Sequence, residues 1–257
     1  MPEGDTIHSA ARRVGAALVD KEILEIETPQ PRHALDRWPE RLEGRSVRAV
    51  DARGKHLFIR FEGDVTLHSH LRLTGSWGVY RRGERWGRSP RRAWLVIRTE
   101  EHEVVQFGGP VLELMRDSRT RFDRRLASLG PDVLAPDFDE RRFLARLRAD
   151  DPSRGVGDAL LDQRTLAGIG NAWKCEGCFL AGIDPWRPLD DVSDEEALAL
   201  VRGVRPLMLE SAAAAGPSRR RVYGRAGQPC PRCDTPIRAR GQGDDNRTTY
   251  WCPRCQV

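Results

Sequence analysis

The spacing of hydrophobic residues first matches a helix and then a series of strands. Between residues 4 and 19, apolar side chains recur every three to four positions, which predicts an amphipathic helix. From residue 22 to residue 108 the apolar segments are short, often alternate with polar residues, and are separated by glycine, proline or charge. This pattern predicts an antiparallel β-sandwich or barrel. The expected strands are Glu22–Thr28, Ser46–Ala52, His56–Phe61, Trp77–Tyr80, Ala93–Arg98 and Val104–Phe107.

Helical spacing returns in the second half of the chain. The pattern loosens over residues 110–135, which we interpret as a linker. Ser193 and Glu196 match a capping box at the start of the last expected helix, and Gly216-Pro217 is expected to end it. Thr249–Trp251 is expected to be a strand in the cysteine-rich tail. Helices are predicted over 139–149, 157–162, 171–181 and 194–213.

The basic charge of the chain is concentrated at its C-terminal end. The 257 residues have a net charge of +5, yet residues 217–257 alone contain nine arginines and three aspartates, a net charge of +6. A basic tail on a nearly neutral body favours an anionic polymer as partner. No apolar run approaches the roughly 20 residues of a membrane span, and the acidic N-terminal residues do not match a signal peptide. We therefore expect a cytoplasmic protein with no membrane contact.

Four cysteines in the tail have the spacing of a zinc site. Cys230 and Cys233 form one Cys-Pro-Arg-Cys sequence, and Cys252 and Cys255 form another 18 residues later. Two such pairs can place four thiolates around one Zn²⁺. Because four thiolates complete the tetrahedral coordination, we predict one structural zinc ion, with a β-hairpin turning at each pair. Disulfides or unligated thiols are the alternatives.

Residues 165–181 contain two weaker signals. Gly168-Ile-Gly170-Asn171 lies between two predicted helices. Its glycines permit a tight turn, and the following helix N-terminus offers free N–H groups to a phosphate. A purely structural connection is the alternative. Cys175 and Cys178 also form a Cys-x-x-Cys pair, but inside a predicted helix we favour packing over a metal or redox role.

The Met-Pro-Glu start of the chain is a candidate for covalent catalysis. Removal of Met1 would expose the secondary amine of Pro2, which can attack an electrophilic carbon and form an iminium. Glu3 can transfer a proton beside it. Lys55, in a turn between two predicted strands, and Arg247, in the expected loop of the second zinc hairpin, can each bind a phosphate. The alternatives are an incidental Met-Pro start and two ordinary surface cations.

Together these motifs resemble the Fpg/Nei family of DNA glycosylases over nearly the whole chain, and its endonuclease VIII branch most closely. Residues 2–4, Pro-Glu-Gly, are similar to the family's N-terminal catalytic motif, and residues 53–55, Arg-Gly-Lys, to its strand-turn lysine. Residues 161–171 are similar to its helix–two-turn–helix signature, and residues 130–134 to the segment that enters that domain. Residues 247–256 are similar to its zinc-finger ending.

The resemblance implies an α+β multidomain fold. We expect an N-terminal catalytic domain over residues 1–118, an antiparallel β-sandwich with an N-terminal helix. A linker over 119–135 then leads to a helical helix–two-turn–helix DNA-binding domain over 136–217. A C-terminal β-hairpin zinc finger over 218–257 completes the chain.

The resemblance also implies the reaction and the residues that perform it. Enzymes of this family excise oxidised bases from DNA and then cut the strand. The amine of Pro2 would attack C1′ of the damaged nucleotide, Glu3 would protonate the sugar ring oxygen, and β- and δ-elimination would expel both phosphates. Lys55 and Arg247 would bind the flanking phosphates and assist the proton transfers. The residues expected to contact the DNA around the lesion are Arg72, Leu73, Gly168, Gly170 and Asn171.

Two loops bear on the choice of lesion. Residues 70–75 offer Leu73 to fill the vacated base stack, and residues 106–110 lack the Arg-Phe pair of the oxidised-purine branch. We therefore expect oxidised pyrimidines as substrates. The alternatives are oxidised purines of the 8-oxoguanine type, or a non-enzymatic zinc-ribbon protein that binds nucleic acid. The expected partner is damaged DNA, duplex, bubble or single-stranded, bound by a monomer at the bacterial nucleoid.

Overall fold

The computed structural model describes residues 2–33, 35–214 and 219–257. The chain divides into two compact units, with the main boundary after Ala127. Unit 1 contains Pro2 and Thr6–Ala127, and unit 2 contains Glu3–Asp5 and Ser128–Val257. Met1 and the expected helix end at Gly216-Pro217 lie outside the described residues.

Unit 1 is built from two four-stranded sheets and a long first helix, α1 (Gly4–Leu18), which belongs to this unit from Thr6 onward. Its other helices are α2 (Trp38–Leu42), α3 (Asp117–Thr120) and α4 (Arg124–Ala127). Its strands are β1 (Glu25–Glu27), β2 (Val47–Arg53), β3 (His56–Phe61), β4 (Val65–His70), β5 (Ser76–Arg81), β6 (Ala93–Arg98), β7 (His102–Phe107) and β8 (Val111–Arg116). The sheet orders are β1-β6-β7-β5 and β2-β3-β4-β8, and every pairing is antiparallel. The predicted antiparallel sandwich with an N-terminal helix is confirmed.

The core of unit 1 lies between these sheets and α1. Ile7, Val14 and Leu18 of α1 are buried in the same cluster as Ile59 of one sheet and Ile97 of the other. Each such side chain stabilises the unit by roughly 1.5–3 kcal/mol through burial. The apolar stripe read from the sequence is therefore the face that holds the helix on the sandwich.

Two strands of unit 1 were missing from the sequence-based expectations. β4 is a central strand, but its buried residues include Thr66, His68 and Ser69, so its hydrophobic pattern is weak. β8 lies inside the stretch 110–135 that we interpreted as a linker, and for residues 111–116 that interpretation is wrong. Its apolar residues run almost without interruption next to a charged segment, which hides the alternation typical of a strand.

The described residues of unit 2 form four α-helices and one strand hairpin. The helices are α5 (Glu140–Arg148), α6 (Val156–Ala159), α7 (Asn171–Ala181) and α8 (Asp194–Ala214), and the strands are β9 (Arg238–Gln242) and β10 (Arg247–Trp251). The capping box of α8 is confirmed, since Ser193 N–H donates to Glu196 at 2.8 Å and Glu196 N–H donates to Ser193 Oγ at 3.3 Å. α6 is shorter than predicted because the chain tightens after Ala159 into turns closed by i to i−3 hydrogen bonds.

Helix α7 runs through the interior of unit 2. Every residue from Asn171 to Phe179 is buried, with α8 against one side and β10 against another. Its first turn and its polar side chains are therefore fixed by packing. None of the helices in the described part of the chain has the length and apolar character needed to cross a membrane.

Candidate active site and zinc centre

The carboxylate of Glu3 caps the N-terminus of α7. One Glu3 oxygen accepts a hydrogen bond from Ala172 N–H at 2.8 Å and the other from Trp173 N–H at 3.2 Å. Glu3 is 3% exposed. Helix α7 has no side-chain cap of its own, since Gly170 occupies its N-cap position. The helix dipole and the two N–H donors stabilise the ionised carboxylate, so unit 2 holds an anionic group directly after Pro2 in the chain.

The glycines of the Gly-Ile-Gly motif make room for this contact. A Cβ atom on Gly170 would lie 2.4 Å from Glu3 Cδ, although the backbone there is extended and any residue could adopt it. Gly4 N–H donates to Gly168 O at 2.8 Å, and a Cβ on Gly4 would lie 2.9 Å from Gly168 Cα. Gly168 also has a φ of +101°, a conformation that favours glycine. The motif thus receives the N-terminal segment, a role that sequence reasoning did not assign to it.

Asn171 and Arg247 lie on neighbouring parts of unit 2. The Asn171 Nδ2 donates to Thr248 O at 2.7 Å, and Thr248 directly follows Arg247. Arg247 is the first residue of β10, where it pairs with Gln242, and its guanidinium contacts Asp245 at 3.2 Å. Unit 2 therefore brings together the predicted residues Glu3, Gly168, Gly170, Asn171 and Arg247.

Unit 1 carries the remaining predicted residues, Pro2, Lys55, Arg72 and Leu73. Lys55 lies, as expected, in the tight turn between β2 and β3, where Arg53 pairs with His56. Leu73 is 58% exposed on the loop after β4. Arg72, at φ +52°, donates its backbone N–H to His70 Nδ1 at 3.2 Å. Pro2 is half-buried at the start of the chain.

Three histidines beside Lys55 were not predicted as functional residues. His56 Nδ1 and His68 Nε2 are 2.8 Å apart, and the rings of His56 and His70 are 4.7 Å apart. Burial, followed by the charges of His70 and His68, lowers the pKa of His56 to about 2. Burial, followed by the charges of Arg72 and Lys55, lowers the pKa of His70 to about 4. The sequence signal was available, since three of the six histidines fall within residues 56–70.

The four tail cysteines form the zinc centre. Their Sγ atoms all lie within 4.8 Å of one another, with separations of 3.9 Å for Cys230–Cys255 and 3.5 Å for Cys233–Cys252. A tetrahedral zinc with Zn–S bonds of about 2.3 Å needs sulfurs about 3.8 Å apart. The geometry therefore fits one structural zinc ion with no open coordination position.

The predicted pair of hairpins is wrong for the second cysteine pair. A bridge between Pro229 and Pro236 closes a turn around the first pair, as expected. The β9–β10 hairpin instead turns at residues 243–246, and the second pair follows β10. Consequently Arg247 begins a strand between the two cysteine pairs. Gly243, Asp244 and Asp245 form this reversal, and their residue types suit turn conformations.

Cys175 and Cys178 are packing residues. Both are fully buried in α7, and burial raises the pKa of Cys175 to about 11 and that of Cys178 to about 12. Thiols with such pKa values stay protonated near neutral pH and are poor nucleophiles and metal ligands. The structure agrees with the packing interpretation.

A β-sandwich, a helical unit built around a glutamate-capped helix, and a four-cysteine finger together define a DNA glycosylase architecture. Models of known families match in the same order. Residues 1–119 match the formamidopyrimidine-DNA glycosylase N-terminal domain, residues 129–221 its H2TH domain, and residues 227–257 the zinc finger found in FPG and IleRS. The chain belongs to the Fpg/Nei family of DNA glycosylases, on its Nei branch.

Individual relatives support the same placement. A probable endonuclease 8 2 of Streptomyces coelicolor is 43% identical over 270 residues, covering 100% of this chain and 94% of the relative. A DNA-(apurinic or apyrimidinic site) lyase Nei2 of Mycolicibacterium smegmatis is 38% identical over 267 residues, covering 100% and 99%. The structure of Lactococcus lactis Fpg in complex with abasic-site DNA has a TM-score of 0.87 at 23% identity and covers 100% of both chains. This last similarity supports the fold.

Proposed function

We propose that the protein is a bifunctional DNA glycosylase and abasic-site lyase of base excision repair that uses Pro2 as its nucleophile. The observation that carries the proposal is the anchored carboxylate of Glu3, which follows Pro2 directly and accepts two N–H groups of α7. An N-terminal segment that was merely incidental would not need a buried carboxylate capping a helix and glycines that leave room for it.

The environment of Glu3 suggests how the proton moves. A proline amine is protonated near neutral pH and must lose a proton before it can attack C1′ of the damaged nucleotide. An ionised carboxylate next to it in sequence can accept that proton and pass it to the sugar ring oxygen. The neutral amine forms a C–N bond to C1′ while the base leaves with the electron pair of the C1′–base bond and takes up the remaining amine proton. As the ring oxygen is protonated, the C1′–O4′ bond breaks, and the opened sugar stays joined to Pro2 as an iminium. The iminium acidifies the neighbouring C–H, which permits β- and then δ-elimination of the two phosphates.

Basic side chains of each unit would hold the DNA during these steps. In unit 1, Lys55 projects from a tight turn, and in unit 2, Arg247 stands at the base of an exposed turn. Each would bind a phosphate flanking the lesion and assist elimination. Asn171 would donate the second proton of its Nδ2 amide to the DNA backbone, since the first is donated to Thr248 O. The target base must first leave the stack, at a cost of a few kcal/mol.

The loops of unit 1 favour oxidised pyrimidines. The β7–β8 connection consists of Gly108, Gly109 and Pro110, so it offers no large side chain to fill a vacated stack. Leu73, which is 58% exposed, is the apolar side chain in the neighbouring predicted contact loop. A single aliphatic wedge, with no Arg-Phe pair, matches the pyrimidine preference inferred from the sequence. The protein is proposed to act on damaged DNA as a monomer at the nucleoid.

Borohydride trapping tests the covalent step. The protein, with Met1 removed, is incubated with abasic-site DNA and borohydride and then analysed by intact mass and peptide mapping. We expect one DNA adduct on the N-terminal peptide. Absence of any adduct would overturn the proposal and support the zinc-ribbon binding protein instead.

Two matched variants test the role of Glu3. Glu3→Gln should slow base excision by about 10²–10⁴-fold because it removes a proton-transfer group, with little change in DNA affinity. Glu100→Gln makes the same change at an exposed position and should behave as wild type. Equal losses of affinity and excision in Glu3→Gln would refute the assigned role. Comparing release of thymine glycol, hydantoins and 8-oxoguanine tests the lesion preference, which faster release of 8-oxoguanine would overturn.

A further inference from the structure

Lys174 is a buried amine that the proposed chemistry does not use. It is one of only three lysines in the chain, lies in the middle of α7, and has an exposure of 0%. Burial lowers its pKa, partly opposed by the nearby carboxylates of Asp158 and Glu3. Burying such a group is unfavourable unless it is hydrogen-bonded. A methionine or leucine would fill the same volume at lower cost, so packing alone does not account for a lysine here.

The Lys174 ammonium joins α7 to both strands of the finger hairpin. Its Nζ donates to Gln242 Oε1 on β9 at 3.1 Å and to Thr249 Oγ1 on β10. Thr249 Oγ1 in turn donates to the same Gln242 oxygen at 2.9 Å. The Gln242 Nε2 donates to Pro185 O at 2.6 Å. All three side chains are buried, so these bonds form in a low-dielectric setting where they are strong.

The cluster of Lys174, Gln242 and Thr249 is adjacent to Arg247 in the β9–β10 hairpin. Gln242 is the residue paired with Arg247 at the turn end of the hairpin, and Thr249 is two residues further along the same strand. The contacts described for the Arg247 guanidinium are with Asp245, whose side chain is 75% exposed. A surface ion pair of this kind fixes a side chain weakly. The position of Arg247 therefore depends on its backbone, which Lys174 helps to hold through Gln242 and Thr249, beside the contact of Asn171 with Thr248.

We propose that Lys174 is a positioning residue for Arg247, clamping the β9–β10 hairpin to α7 so that the arginine meets a DNA phosphate. The proposal rests on the proposed function, in which Arg247 binds that phosphate. Because Lys174 is fully buried, it cannot itself neutralise a phosphate, and any effect it has on phosphate binding must pass through a neighbour.

The salt dependence of DNA binding tests this chain of contacts. Affinity is measured between about 50 and 200 mM salt for duplex DNA containing tetrahydrofuran, an abasic analogue that is not cleaved. Arg247→Ala should reduce the slope of log affinity against log salt by about one, the loss of one phosphate contact. Lys174→Met, which keeps the side-chain volume but removes the hydrogen bonds, should reduce the slope by a similar amount. The double variant should show no further reduction.

The controls separate the two proposals and allow for misfolding. Lys21→Met removes the same charge from an exposed position and should leave the slope unchanged. Zinc content and melting temperature identify any variant that has lost its fold. If Lys174→Met is such a variant, Thr249→Val removes one hydrogen bond between Lys174 and the hairpin by a smaller change, and it should also lower the slope of log affinity against log salt. A folded Lys174→Met or Thr249→Val protein with the wild-type slope, while Arg247→Ala lowers it, would overturn the positioning role. An unchanged slope in Arg247→Ala would overturn the role of Arg247, and the positioning role with it.

Discussion

Gly170→Ala should slow base excision by displacing Glu3. An alanine Cβ at this site would lie 2.4 Å from Glu3 Cδ and 2.6 Å from Glu3 Cγ and Oε1, so the glutamate must move. Its displacement breaks two hydrogen bonds from N–H groups to a carboxylate, each contributing about 1.5–3 kcal/mol. Overpacking adds roughly 1–3 kcal/mol of destabilisation. Because Glu3 is the proposed proton carrier, we expect excision to slow by about 10²-fold or more.

Single-turnover excision at saturating enzyme separates this effect from DNA binding. Gly203→Ala in α8 is the matched control, since its Cβ would meet Leu180 of α7 at 3.4 Å, an ordinary contact, and it should retain wild-type rates. Combining Gly170→Ala with Glu3→Gln should add no further loss of excision, because both changes disable the same group. A Gly170→Ala protein that binds DNA weakly but excises bound lesions at the normal rate would refute the steric reasoning. It would favour the phosphate-binding turn suggested by the sequence.

Three further predictions concern stability. Cys230→Ser should abolish stoichiometric zinc and lower the melting temperature, since metal binding provides much of a small finger's folding free energy; unchanged metal content would contradict the four-thiolate site. Ser193→Ala should cost about 1 kcal/mol in urea unfolding by removing the capping box of α8, and a neutral result would show that the α8 packing alone fixes its start. The pKa values of His56, about 2, and His70, about 4, lie below the usual 6.5, so the unfolded chain gains protons first on acidification. The free energy of unfolding should therefore not depend on these two histidines above about pH 6.5, and it should fall as the pH is lowered from there toward pH 4, by about 1.4 kcal/mol per pH unit for each histidine. His56→Gln should make this pH dependence less steep.

The elements that the sequence predicted well are those whose signal is local. Helix α1, helix α5 and the capping box of α8 follow from spacing and from residues three or four positions apart. The zinc centre follows from two short cysteine pairs, because metal coordination needs particular side chains and little else. β4 was missed for the opposite reason: its neighbours on both sides supply the pairing, so Thr66, His68 and Ser69 can be buried without a hydrophobic pattern.

The anchoring of Glu3 could not be predicted from the sequence. The carboxylate and the N–H groups that it accepts are 169 and 170 positions apart, and neither segment has a feature that requires the other. The resemblance to a family implied a role for Glu3 in proton transfer but did not supply its surroundings. The Gly-Ile-Gly sequence predicted a turn that could hold a phosphate. Only the folded chain shows that its second glycine leaves space for a glutamate.

Helix α7 contains buried polar residues whose burial its sequence does not indicate. Asn171, Lys174 and Glu176 are residue types usually found at the surface, yet all three are buried. Each binds a different segment of unit 2. Asn171 holds Thr248, Lys174 holds both strands of the hairpin, and Glu176 accepts the backbone N–H groups of residues 221–223 at 2.9–3.0 Å. Hydrogen bonds to such buried side chains are directional, whereas apolar contacts are not. A buried polar helix can therefore fix the finger in one orientation, which a phosphate-binding arginine on that finger requires.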